Sequence, residues 1–127
     1  MNYEEAKKMG IAPWTELKIE TKNFYVFRDK FPVSPGHMLF VPKDDSDEKV
    51  LKCYRAAYRW GKRMYRMGNC DGFNVGQNFD KAAGQTVMYP HIHMIPRYKG
   101  DMEEPAGGVR HVIPNKAKYE PIAHHQV

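Results

Sequence analysis

Only one stretch of this chain repeats its apolar residues with the 3.6-residue period of an α-helix over more than two turns. Everything around it is cut into short runs by Gly, Pro, Asn and Asp. That stretch follows the acidic cluster Asp44-Asp45-Ser46-Asp47-Glu48, which supplies N-cap chemistry and favourable charge for a helix start. It runs to about Met67, with Gly68 as its C-terminal stop. At the helical turn angle, Lys52, Arg55, Arg59, Lys62, Arg63 and Arg66 fall within an arc of roughly 100°. Val50, Leu51, Cys53, Tyr54, Ala57, Tyr58, Trp60, Met64 and Tyr65 fill the opposite side. A lone helix with one apolar face needs a second layer to cover it.

The other segments supply that layer as strands. Glu16 to Glu20 alternates around Leu17 and Ile19, and Phe24-Tyr25-Val26-Phe27 is aromatic and β-branched, with a join near Thr21-Lys22-Asn23. A loop at Pro32-Val33-Ser34-Pro35-Gly36 precedes a third strand from His37 to Val41, stopped by Pro42. Gly72 to Asn78 reads as a fourth strand and Phe79 to Gly84 as a polar loop. Val87 to Ile95 reads as a fifth strand that Pro90 makes irregular. The first ten residues read as a short helix or arm ending at Gly10, and Val112-Ile113 as a short strand or a docking segment. The fold class is therefore α+β, an antiparallel sheet of about five strands with one long helix and a short N-terminal helix. A chain of 127 residues can bury a core without disulfides, and it reads as a single domain over 1–127, with a core at 14–114 and a C-terminal tail at 115–127.

Charge is informative through its placement. The net +5 and pI near 9.2 suggest anionic partners, yet residues 51–70 hold 6 basic and no acidic side chains, more than the whole excess. Residues 71–127 are balanced. The basic stripe reads as the solvated face of the helix, which disfavours nucleic acid as a partner. With 42% hydrophobic and 28% charged residues the chain is not disordered. Two cysteines, Cys53 and Cys70, suit a reducing compartment. No apolar run is long enough to span a membrane, and the N-terminus lacks the apolar core of a signal peptide. These features together predict a cytoplasmic protein without a membrane partner.

His91-Ile92-His93 lies in a strand-like stretch, where residues two apart share a face. Two imidazoles therefore look into one site while Ile92 packs on the other side. By itself such a pair suits metal binding, nucleophilic catalysis or a plain polar face. With His37 it also suits a three-histidine zinc centre with an open position, to which His111 is a further candidate ligand.

The segment Gly84-Gln85-Thr86-Val87-x-x-Pro90-His91-Ile92-His93-Met94-Ile95 resembles the signature of the histidine-triad (HIT) family, with Tyr89, His91 and His93 at the triad positions. Pro35-Gly36-His37-Met38-Leu39 is similar to the family's Pro-Gly-His-x-Leu element. Asn78 and Asp29 stand where the family places an asparagine and a ribose-binding acid, and Gly107 to Pro114 resembles the C-terminal extension of a bacterial branch. Pro90 is similar to the His-Pro-His of a related uridylyltransferase branch, but His93 in place of glutamine favours the hydrolases.

The resemblance implies a nucleotide hydrolase or nucleotidyl transferase, and a homodimer acting on a purine nucleotide. His91 would attack the α-phosphorus of a dinucleoside polyphosphate or adenylyl amide, forming a covalent nucleotidyl-histidine that water releases as a nucleoside monophosphate. In the family a backbone carbonyl of the same strand orients the nucleophile. His93 would donate to a phosphate oxygen, and Gln85 and Thr86 would bond the phosphate or leaving group. Phe27 would flank the base and Asp29 the ribose. Asn78, Gly84 and Val87 would line the substrate, and His37 would stand behind the reactive histidines. No cofactor is required, and a divalent metal enters only as a companion of the substrate phosphates. Tyr89 departs from the family's histidine. With a phenol pKa near 10 it can orient by hydrogen bonding but cannot handle protons near neutral pH. A module that binds nucleotides without turnover is the alternative reading.

Overall fold

The computed structural model describes residues 1–118, and the tail beyond, with His124 and His125, lies outside the described residues. Ser46 caps the long helix by accepting the Lys49 N–H through its Oγ at 3.3 Å, and Asp44 in turn accepts the Ser46 N–H. This helix (α2, Asp47–Arg66) ends at Met67, whose N–H bonds the Arg63 carbonyl. A six-residue helix (α1, Tyr3–Lys8) opens the chain, closed by a capping box between Asn2 and Glu5.

Between and after the helices run β1 (Leu17–Glu20), β2 (Phe24–Arg28), β3 (Met38–Pro42), β4 (Gly72–Gly76) and β5 (Ile92–Arg97). They form one five-stranded sheet of order β1-β2-β3-β5-β4 in which every pairing is antiparallel. The expected α+β architecture is what the structure shows. No described helix is long and apolar enough to cross a membrane.

Alternation divides the sheet into two faces. Val26, Met38, Phe40, Ile92 and Met94 pack under α2 against Cys53, Ala57, Trp60 and Met64. Phe27, Leu39 and Val41 face the other way, where Tyr3, Ala6 and Ala12 cover them together with Tyr89. Cys53 and Cys70 are both buried and free.

Three sequence expectations change. The fifth strand begins at Ile92, not Val87, because Pro90 offers no N–H and the Tyr89 carbonyl accepts a side-chain bond from His91 in place of a ladder bond. Val112-Ile113 forms no strand, and Gly108–Val112 is instead a 3-10 turn lying against β4. Leu51, Tyr58 and Tyr65, assigned to the buried side of α2, are exposed because the sheet covers a narrower stripe than the apolar arc offers.

Where α2 crosses β4 the contact is close. A Cβ built on buried Gly61 would lie 2.4 Å from the Phe73 ring. Alanine at an exposed helical glycine gains up to about 1 kcal/mol. Here overpacking should outweigh that gain, and Gly61→Ala is expected to lower stability by about 1–3 kcal/mol in urea unfolding. A stabilised variant would show that the ring yields freely.

Candidate active site

Ile92, Met94 and Pro96 are buried beneath α2, so His93 and Ile95 project from the opposite face of β5, and His91, just before the strand, continues their row. The His91 and His93 rings lie 5.3 Å apart at 62°. The protons on these rings follow from their partners. A carbonyl can only accept, so the 2.8 Å contact between His91 Nδ1 and the Tyr89 oxygen places a proton on Nδ1 and leaves the Nε2 lone pair unused.

His93 receives the opposite tautomer through His37. The Val33 N–H donates to His37 Nδ1 at 3.0 Å, which puts the His37 proton on Nε2. That nitrogen is 2.9 Å from His93 Nδ1 and 3.4 Å from Asp29 Oδ2. Donation to His93 Nδ1 leaves His93 with its proton on Nε2. A lone pair on His91 and an N–H donor on His93 therefore stand side by side, each set by a backbone group.

All three rings are held neutral. Burial lowers the pKa of His37 and of His91, opposed by Asp29 at His37 and by the Tyr89 carbonyl and then Asp29 at His91. His93 is pushed down to about 4 by burial first and then by its two histidine neighbours.

Tyr89 does not join them. It is 1% exposed, and its hydroxyl donates to the Pro42 carbonyl at 2.7 Å, among Tyr3 and Trp14. Burial raises its phenol pKa, so this group stays protonated and ties the end of β3.

The remaining predicted residues divide between the groove and its supports. Asn78 lines a cavity with His37 and His93. Thr86 and Gly84 are exposed, Gly84 with φ +90° after the 3-10 turn Lys81–Ala83. Gln85 commits both ends of its amide to the loop, Oε1 accepting the Asp80 N–H and Nε2 donating to the carbonyl of half-buried Val87. Asp29 accepts the Phe31 N–H and faces His37, and Phe27 is buried in the aromatic cluster. Sequence reasoning missed Trp14, whose ring centroid is 5.0 Å from His91 and 6.1 Å from Phe27. A tryptophan after Pro13 in a strandless stretch carries no signal of that proximity.

Among the described residues, those that converge with cation-ligand spacing are Asp29, His37 and His93, their ligand atoms within 4.8 Å of one another, and not the trio with His91. The donor set opposes a metal here. His37 Nδ1 already accepts the Val33 N–H, so Nε2 has a lone pair for a cation only if that bond breaks.

With this geometry in hand, the likeness to known proteins is specific. The HIT domain model matches residues 15–100. The chain is 33% identical over 103 residues to a bis(5'-adenosyl)-triphosphatase of Dictyostelium discoideum, covering 72% of this chain and 69% of that enzyme. It is 38% identical over 86 residues to an adenosine 5'-monophosphoramidase of Saccharomyces cerevisiae, covering 62% of this chain and 52% of the yeast enzyme. A zinc-bound histidine triad family protein from Mycobacterium smegmatis superposes with a TM-score of 0.64 at 32% identity, over 78% of this chain and 76% of that one.

The histidine pKa values carry a stability consequence. Unfolded, His93 takes up a proton near 6.5, while in the fold it stays neutral to about 4. Between those values the unfolded chain binds more protons, so stability falls as pH drops from 6.5 toward 4. His93 alone should contribute on the order of 2–3 kcal/mol to that fall. The window lies above that of Asp44 and Asp101, whose carboxyls are held at about 2, Asp44 by hydrogen bonds from Ser46 and Asp101 by Arg97. Urea midpoints across this range should decline, and His93→Asn should flatten the decline. An equally steep profile in the variant would contradict a neutral His93.

Proposed function

The chain belongs to the HIT domain family, and on that premise we propose that it hydrolyses nucleoside 5'-phosphate derivatives at the α-phosphorus through a covalent nucleotidyl intermediate on His91. The observation that carries the reading is the pair of complementary tautomers, the His91 Nε2 lone pair beside the His93 Nε2–H. The named activities of the slime-mould and yeast relatives, a dinucleoside polyphosphate hydrolase and a phosphoramidase, support a hydrolase acting on this bond class.

His91 Nε2 attacks phosphorus, and the bond to the leaving group breaks with its electron pair. The leaving atom takes a proton from solvent. His93 donates its Nε2–H to a non-bridging oxygen as charge builds there. The phosphorylated imidazole shares its positive charge with the Tyr89 carbonyl through Nδ1–H. Water then attacks the same phosphorus and loses a proton, and the P–N bond breaks with its electrons returning to His91. A nucleoside monophosphate departs. Trp14, backed by buried Phe27, supplies the aromatic wall for the base, Asp29 the ribose contact, and Asn78, Gly84, Thr86 and Val87 the border of the phosphate. Gln85 acts by shaping the loop.

No step requires a metal, so turnover should persist in chelator. The homodimer implied by the family belongs to the same proposal, with β4 an edge strand of the sheet among the described residues.

A binding module without turnover is the rival, and the position of Tyr89 speaks against it. Its hydroxyl is spent on Pro42, so tyrosine there leaves the His91–His93 pair intact. Tyr89→Phe is expected to cost about 1–2 kcal/mol of stability, by leaving a buried carbonyl unpaired, and to keep turnover within about threefold. His91→Gly should retain nucleotide binding and lose hydrolysis, along with the adduct that intact-mass spectrometry detects in the wild type. A wild-type protein inert toward every nucleotidyl substrate would establish the binding module instead.

A further inference from the structure

The outer face of α2 takes no part in the chemistry proposed for the histidines. Lys52, Arg55, Arg59, Lys62, Arg63 and Arg66 stand opposite the buried row Cys53, Ala57 and Gly61. All are exposed except half-buried Lys62. They point away from the sheet, and the histidine groove lies on the sheet's other face.

An ordinary solvated helix face interleaves acids and bases at i,i+4 spacing, so that each supports the other. This one does not. Arg55 and Arg59, Arg59 and Arg63, and Lys62 and Arg66 are each four apart and alike in sign, which destabilises a helix. The fold does not neutralise them from elsewhere either. Among the described residues Lys43, Lys49 and Arg97 are paired with carboxylates, and none of these six is. Such a row of like charge draws anions from solution.

Length and shape narrow the anion. The crest over 52–66 runs about 21 Å, the span of about six stacked nucleotides of one strand. Toward its C-terminal end a concavity of about 320 Å³ opens between Arg59, Lys62, Arg63, Arg66 and Tyr58. Tyr58 and Tyr65, two turns apart on the flank of the row, are each 54% exposed. Lys62 lies over the Tyr58 ring, 5.6 Å from its centroid. A cationic track with aromatic rings beside it holds phosphodiesters while bases stack. An anionic bilayer fits less well, because the apolar face that a surface helix would insert is covered by the sheet. A second copy stacked crest to crest would set one basic row against another.

We propose that the outer face of α2 is a docking track for single-stranded nucleic acid, with phosphates along the basic row and bases on Tyr58 and Tyr65. The contacts are to backbone charge and base faces, which RNA and DNA share. The proposal is independent of the hydrolase reading.

Fluorescence anisotropy of the full chain with labelled single strands of about twelve nucleotides tests it. Oligothymidine and oligouridine should both bind, with log K falling against log salt at a slope of about −3 to −4. Arg59→Gln with Arg63→Gln should weaken binding about tenfold or more and flatten the slope by about 1.4. Tyr58→Ala with Tyr65→Ala should weaken it about tenfold at an unchanged slope, since stacking releases no counterions. Circular dichroism of each variant verifies that α2 is intact. On the wild type, an abasic strand of equal length should bind about tenfold more weakly, a measurement that needs no variant. Equal or greater affinity for the abasic strand, for polyglutamate or for phosphatidylserine vesicles overturns the proposal. So does a salt slope near zero, or one unmoved in the arginine variant. A tyrosine variant that loses self-association in sedimentation but keeps its oligonucleotide affinity assigns that flank to a second copy and overturns it too.

Discussion

The antiparallel pairing of β3 with β5 is the constraint on which the rest of this molecule depends. Only three pairs define it, Met38↔Met94, Leu39↔His93 and Phe40↔Ile92, and they join segments more than fifty residues apart. That register gives Met38, Phe40, Ile92 and Met94 to the core beneath α2 and leaves Leu39 and His93 on the opposite face. A slip of one residue would send His93 into the α2 core and expose Ile92, so packing of the apolar face enforces the geometry of the polar one. The same pairing brings His37, just before β3, within 2.9 Å of His93.

The open face is then partitioned by its covers. Residues 3–14 close the β2 and β3 side with Tyr3, Ala6, Ala12 and Trp14, and Tyr89 belongs to that aromatic layer. The 3-10 turn at Gly108–Val112 closes the β4 side. Between them the imidazoles of His91 and His93 are half-buried, which lowers their pKa values, and their tautomers are assigned by the Tyr89 carbonyl and the Val33 N–H. Neutrality and opposed tautomers together leave one ring with a free lone pair and its neighbour with an N–H to donate, the pair on which the proposed hydrolase reading rests. The +5 charge plays no part, since its excess lies on α2, away from this face.

Much of this was legible in the chain. The period of α2, its Ser46 cap and the alternation around His91 and His93 are local patterns, set by neighbours a few residues away. The five-strand sheet follows because one amphipathic helix needs an apolar layer to lie on. Other features turn on partners distant in sequence. The extent of β5 depends on where the Tyr89 carbonyl spends its hydrogen bond, and Val112-Ile113 is strand-like in composition but has no strand beside it to pair with. Trp14 reaches His91 only because the arm that carries it folds back across the sheet.

What the sequence determined by itself was the family and the pairing of two histidines on one face. The order of Gln85, Thr86, His91 and His93, with Pro35-Gly36-His37 upstream, identifies the family, and period-two alternation makes the two histidines neighbours. Only the tertiary structure decided what each group does there. It turned Tyr89 into a buried tie to Pro42, spent Gln85 on its own loop and made His37 the setter of the His93 proton. The physical reason is that a residue type specifies which hydrogen bonds a side chain can make, while burial and the position of distant backbone groups select the one it does make.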